Sequence, residues 1–185
     1  VNVARTLGNQ DDQGTKDGIH TAVSVSILSG SAMILLGFLF GRPMLQWMGT
    51  PADVIDKASL YLMIIFIGMP SNMAYNFGSA ILRAMGDTKR PLYFLSAAGV
   101  LNVVLNLIFV IVLHMDVAGV ALATILSETL SAVLILNCLC RTDGPCHLNI
   151  RKLYIQKDQL IRMLRIGLPA GIQSGMFSFS NVLIQ

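Results

Sequence analysis

Three stretches of this chain, residues 18–41, 58–82 and 91–115, contain no Asp, Glu, Lys or Arg, and a fourth, 117–140, contains only Glu128. Each is 24 or 25 residues long, and roughly 20 apolar residues suffice for a helix to cross a bilayer. Charged residues make up 12% of the chain, against about 25% in a soluble domain, and the mean hydropathy is +0.67. A water-soluble surface cannot be assembled from this composition. In hydrocarbon every backbone polar group must be paired within the protein, and a helix does so locally. The expected fold is therefore an all-α, polytopic membrane helix bundle. It has four full spans and part of another at 166–185. The chain starts at Val1 with no signal-peptide pattern and ends inside an apolar helix pattern. It reads as an internal segment of a longer membrane protein.

The basic residues orient these spans. Arg5 and Lys16 precede the first full span, Arg83, Lys89 and Arg90 lie in the second turn, and six more follow the fourth span: Arg141, Arg151, Lys152, Lys157, Arg162 and Arg165. All eleven fall on one side, and only Arg42 and Lys57 fall on the other. The positive-inside rule makes the first side cytoplasmic, including loops 83–90 and 141–165.

Local signals divide the chain further. The first span is expected over about Ile19–Phe40, where Gly30 serves close helix packing, and Trp47 suits an interfacial anchor. Thr50-Pro51-Ala52-Asp53 reads as a helix start before a second span to about Arg83. Pro70 bends that span, because it removes a backbone hydrogen bond. Gly86 can stop this helix in the left-handed conformation, Asp87 or Thr88 can cap the next, and Pro91 fits its first turn. The third span should reach Leu113 and the fourth run over Val117–Leu139; the short turn between them makes the two antiparallel neighbours. Residues 141–165 interleave basic and apolar side chains, a pattern suited to a helix on the membrane surface.

No catalytic arrangement is visible. The histidines His20, His114 and His147 sit at span ends or in loops, no serine lies in a nucleophile-elbow context, and there is no phosphate-binding glycine loop. Cys138, Cys140 and Cys146 beside His147 offer thiolate and imidazole ligands, but their spacing departs from the usual two-residue zinc pattern. Free thiols on a reducing side are the expectation, with no metal and no enzyme activity.

Polar residues inside the spans carry more information, since they are costly there and usually face the bundle interior. Asn102 and Asn106 are four apart and share a face; Thr124, Glu128 and Ser131 share another, with Ser127 beside it. The two helices could present one polar wall to a cavity, or the amides and hydroxyls could simply hold helices together. Glu128 is a lone acid with no basic residue in its span. It suits a proton carrier or a cation site, unless it snorkels or pairs with another helix. Tyr75 and Asn76, below Pro70, and Gln173 and Asn181, in the last span, are candidates to line an aqueous path. The ten Met residues add deformable apolar surface suited to varied ligands or to ordinary packing.

Arg83–Pro91, R-A-M-G-D-T-K-R-P at the end of an apolar helix, resembles the loop after the fourth helix of the multidrug and toxic compound extrusion (MATE) transporters. GTPADVIDKASLYL, the small and apolar run from Gly119 to Ala132, and IGLPAGIQSGMFSFSNVLIQ resemble that family in order and spacing. The resemblance implies a fragment of a twelve-helix transporter whose two six-helix halves alternately open a central cavity. Residues 1–140 would hold the end of helix two and helices three to six, 141–165 a cytoplasmic amphipathic linker between halves, and 166–185 the start of helix seven. In one branch of the family a first-half cation site uses positions that Asn102, Asn106 and Thr124 match, with Asn106 departing from an aspartate.

The implied function is a sodium- or proton-coupled antiporter in the cell membrane, exporting organic, chiefly cationic, drugs or toxic compounds. Its partners would be small organic substrates, the bilayer and the remaining helices, not nucleic acid, with no cofactor beyond the coupling ion. A lipid-linked sugar flippase of the same superfamily is the alternative, though the spans hold no interior Lys or Arg to meet a phosphate. A non-transporting membrane subunit is another.

Overall fold

The computed structural model describes residues 2–184, with side chains through residue 181. A short helix α1 (Asn2–Gly8) leads into α2 (Asp12–Trp47), α3 (Ile55–Ala84), α4 (Lys89–Asn106), α5 (Asp116–Arg141) and α6 (Lys157–Ile184). A π-helical segment, Leu107–Val112, extends α4, and a single 3-10 turn, Ile150–Lys152, interrupts the loop before α6. No strand occurs among the described residues. Among the described residues, four helices are long and apolar enough to cross a membrane: α2, α3, α4 with its extension, and α5. The expected fold class, a helical membrane bundle, is the one observed.

The helices end largely where local chemistry dictates. Asp11 caps α2 by accepting from the Gly14 N–H at 2.9 Å. Gly86 ends α3 in the left-handed region at φ +85°, and Asp87 accepts from the Arg90 N–H at 3.1 Å to start α4. Two boundaries differ from expectation. Helix α2 runs through Gly41 and Pro43 to Trp47, because the hydrogen-bond ladder need not stop where apolar residues do. Residues 51–54 form a turn rather than the first helical turn, with Val54 and Ile55 N–H groups both donating to the Pro51 carbonyl. The π segment was not foreseen either. Four of its six residues are β-branched, and a wider turn relieves their crowding against the preceding one.

Helix α3 is the centre of the bundle, packed between α2 and α5, and α5 in turn carries α4. Small residues set these distances. A Cβ on Gly30 would come within 2.8 Å of the Pro70 nitrogen, and one on Gly37 would collide with the Phe66 ring. On the other side, a Cβ on Gly78 would lie 2.8 Å from Ile135 Cγ2. Two ion pairs join the helices at the end away from the basic loops. Arg42 meets Asp56 at 2.9 Å and Lys57 meets Asp116 at 3.3 Å.

At the basic end the bundle closes on a compact core. Ile19, Val23, Ile81, Leu82, Ile135 and Leu139 pack with Cys146 and Leu148 from the loop that follows α5. Leu148 is 1% exposed, and its N–H returns to the Leu139 carbonyl at 3.2 Å. The expected surface helix over 141–165 does not form as such. Residues 142–156 are irregular and folded under the bundle, because Leu148 and Cys146 find apolar cover there. Residues 157–165 are instead the first turns of α6, which is exposed throughout 164–181.

Two predictions follow from this packing. Gly30→Leu should lower the thermal stability of the detergent-purified full-length protein by about 2 kcal/mol or more, whereas Gly99→Leu, with open space around it, should be near neutral. Burial, and then the nearby Asp12 carboxylate, push the Cys146 thiol above its ordinary range. Alkylation of Cys146 at pH 7.5 should therefore be at least about tenfold slower than for a free thiol, and denaturant should restore the rate; mass spectrometry of the labelled peptide reads this directly.

Candidate functional site

The polar side chains within the spans sort into two hydrogen-bonded chains on different sides of α5. On the α4 side, the Asn106 Nδ2 donates to Asn102 Oδ1 at 2.9 Å. The Asn102 Nδ2 then donates to Ser127 Oγ at 3.1 Å. Ser127 gives its own proton to backbone carbonyls of Ala123 and Thr124, at 2.9 and 2.8 Å. Its oxygen can therefore only accept from Asn102, and this fixes the orientation of both amides. The polarity leaves Asn106 Oδ1 at the open end. That oxygen is buried and has no hydrogen-bond partner among the described residues. A buried unpaired carbonyl is costly, and an oxygen in this state suits a hard cation.

On the α3 side, Asn72 Nδ2 donates to Glu128 Oε1 at 3.0 Å. Asn76 Nδ2 donates back to Asn72, at 2.8 Å to Oδ1 and 2.9 Å to the backbone carbonyl. The carboxylate can only accept when ionised, so Asn72 must point its NH2 toward Glu128 and its carbonyl toward Asn76. At the adjacent positions, Ser71 Oγ and Thr129 Oγ1 lie 3.1 Å apart and join the same two helices. Glu128 is half-buried, and no Lys, Arg or His bonds to it among the described residues. Both chains thus end in an oxygen: a neutral amide oxygen on one side, a carboxylate on the other.

The single polar wall expected from spacing is therefore two networks. Asn102 and Asn106 do share a face and bond to each other, but their partner on α5 is Ser127. Thr124 turns its hydroxyl to its own helix, donating to Val120 O at 2.9 Å, and Ser131 likewise bonds to Glu128 O at 2.7 Å. Helical geometry explains the split. Successive residues on α5 are about 100° apart, so Ser127 faces α4 while Glu128 faces α3.

Of the other candidates, Asn76 alone joins one of these networks. Tyr75 donates to the Pro91 carbonyl at 3.1 Å and packs at the start of α4. Asn76 belongs to the Glu128 chain. Gln173 lies exposed in a shallow groove along one face of α6 with Pro169, Ile172 and Met176, and Asn181 is exposed on the same helix. Neither is brought to the α3–α5 side chains among the described contacts. Asn72 is the residue that spacing alone underrated. Its position four before Asn76 was a visible signal, but its role as partner of Glu128 depends on which helix α5 packs against.

The MatE family model matches residues 1–108. A "Probable multidrug resistance protein YpnP" of Bacillus subtilis is 35% identical over 98% of this chain and 41% of its own length. A second B. subtilis relative, "Probable multidrug resistance protein YoeA", is 26% identical with the same coverage of both chains. A solved structure described as MATE in the bent conformation superposes with TM-score 0.89 at 25% identity, covering 96% of this chain and 40% of that one. The chain spans about two fifths of the length of the relatives it matches. More than half of its residues fall within the family model and its helices superpose on a solved member; the chain belongs to the MATE family.

Proposed function

We propose that this chain is part of a secondary antiporter of the cell membrane that exports organic, cationic drugs or toxic compounds in exchange for sodium or protons. The observation that carries the reading is the paired termini of the two polar chains. Among the described residues, Asn106 Oδ1 is buried without a partner, and Glu128 is a carboxylate held by an amide with no cationic side chain bonded to it. A neutral oxygen that needs a positive partner suits a sodium ion, which Asn106 Oδ1 would meet while Asn102 holds the Asn106 amide in place. Asn106 cannot carry a proton, whereas Glu128 can. Proton coupling would therefore fall to Glu128, and the amide chain would serve a metal cation or the substrate's positive group.

The names of the relatives, multidrug resistance proteins, support a role in handling drugs, and the structural likeness supports a helical transporter over an enzyme. The bilayer, the substrate and the remaining helices would be its partners, with loops 83–90 and 141–165 in the cytoplasm. The basic residues of those loops lie outside the spans, which leaves the span interior attractive to cations rather than to lipid phosphates.

The test is ethidium efflux from cells expressing the full-length protein, with sodium and pH gradients imposed separately. Efflux should follow one gradient and fall by about tenfold or more in Glu128→Gln and in Asn102→Ala, a loss of about 1.4 kcal/mol in barrier terms. Efflux that persists unchanged in both variants would reduce the two networks to helix packing. Absence of efflux under either gradient, with the protein present in the membrane, would overturn the drug-export reading.

A further inference from the structure

The cytoplasmic end of α2 is fastened to the loop before α6 through one histidine. His20 is 6% exposed, and its ring stacks on Tyr154 with centroids 5.1 Å apart and planes 13° from parallel. Its Nδ1 lies 2.9 Å from the Lys16 carbonyl, which can only accept, so Nδ1 carries the proton. Its Nε2 accepts from the Asn149 backbone N–H at 3.2 Å. The tautomer is thus settled by the partners, and both ring nitrogens are used. Further bonds fasten the same strap: Gln156 N–H to Thr21 Oγ1 at 3.0 Å, Ser24 Oγ to the Tyr154 carbonyl at 3.3 Å, and Tyr154 OH to the Asp17 carboxylate.

We propose that residues 142–156 form a pH-sensitive clasp, closed on α2 when His20 is neutral and released when His20 takes a second proton. The second proton can only go to Nε2. It would then point at the Asn149 N–H, replacing a hydrogen bond with two opposed donors on a ring that is 6% exposed. Of the groups in these contacts, His20 is the one whose charge ordinarily changes between pH 5 and 8.

The charged groups on the elements that meet here are Lys16 and Asp17 on α2, Arg151 and Lys152 in the 3-10 turn between Asn149 and Tyr154, Arg5 on α1, and Lys157 and Asp158 at the start of α6. The Tyr154 ring face would attract an imidazolium, but Tyr154 is 40% exposed and water screens that attraction.

The clasp also has an upper limit. The Tyr154 phenol is pushed up to about 12, first by its hydrogen bond to Asp17. A raised value means the protonated phenol is favoured in the folded state. The contribution of that bond is complete below the ordinary tyrosine value near 10 and is lost as the pH rises toward about 12.

Because the strap joins α5 to α6, its release would free the first turns of α6, whose Gln159 otherwise bonds to Asn2 and to the Gly14 carbonyl. This inference concerns the fastening alone and does not depend on the proposed transport reaction. Hydrogen exchange on the purified full-length protein in nanodiscs, corrected for intrinsic rate, tests it. The amides of Leu148 and Gln156, which donate to the Leu139 carbonyl and to Thr21 Oγ1, should lose about tenfold of their protection between pH 7.5 and 5.5. In His20→Gln, which cannot titrate, protection should be independent of pH. In Asn149→Pro, which deletes the donor and leaves α2 untouched, it should sit at the pH 5.5 level throughout. Constant protection in the wild type, or an equal loss in His20→Gln, would overturn the clasp.

Discussion

The close approach of α3 to α2 and α5 is the constraint on which the rest depends. In lipid, apolar side chains gain little by moving from tails to a neighbouring helix, so association rests on fit between surfaces. Here the fit is made by absent side chains. Gly30 and Gly37 admit Pro70 and Phe66 of α3, and Gly78 of α3 admits Ile135 of α5. Pro70 contributes twice, since it lacks the N–H that a helix interior would use and presents a flat edge to a glycine. With these contacts in place, Asn72 stands opposite Glu128, and Ser71 opposite Thr129.

The polar groups then obey a second rule. Once one member of a buried chain has its proton committed, every other member's orientation follows. Ser127 commits its proton to the backbone of α5, and from that single fact Asn102 and Asn106 are directed and the Asn106 oxygen is left unpaired. Glu128 plays the same part for Asn72 and Asn76. Helix adhesion by amides and the display of an oxygen to a cation are not competing roles here. The bonds that hold the helices together are the ones that aim the oxygens.

At the end that carries the basic loops the chemistry changes from lipid to water, and so does the packing. Apolar positions within the spans such as Leu35, Leu39, Leu92 and Val100 are left exposed, while the buried core gathers around Ile19, Leu82, Leu139 and Leu148. There the hydrophobic effect operates in the ordinary way, because water borders the site. It draws the loop after α5 under the bundle. The loop's backbone groups must then be satisfied, and His20, Thr21 and Leu139 supply partners.

The sequence by itself determined the class and the number of spans, because charge-free length responds to the bilayer rather than to neighbours. It also determined the Gly86–Asp87 turn and the Asn102–Asn106 pair, since caps and four-residue spacings are properties of one helix. Which helix each polar face meets was decided only in three dimensions. Ser127 and Glu128 are adjacent in the chain yet serve different partners, because about 100° of helical rotation separates them. Residues 141–165 read as one amphipathic helix by composition. The structure instead buries Leu148 beneath the bundle and starts α6 at Lys157, because a tertiary cavity between α2, α3 and α5 offered more apolar cover than a helix surface could. His20 shows the same limit. Its place at a span end was legible, but Asn149 and Tyr154, 129 and 134 residues away, reach it only through the folded chain.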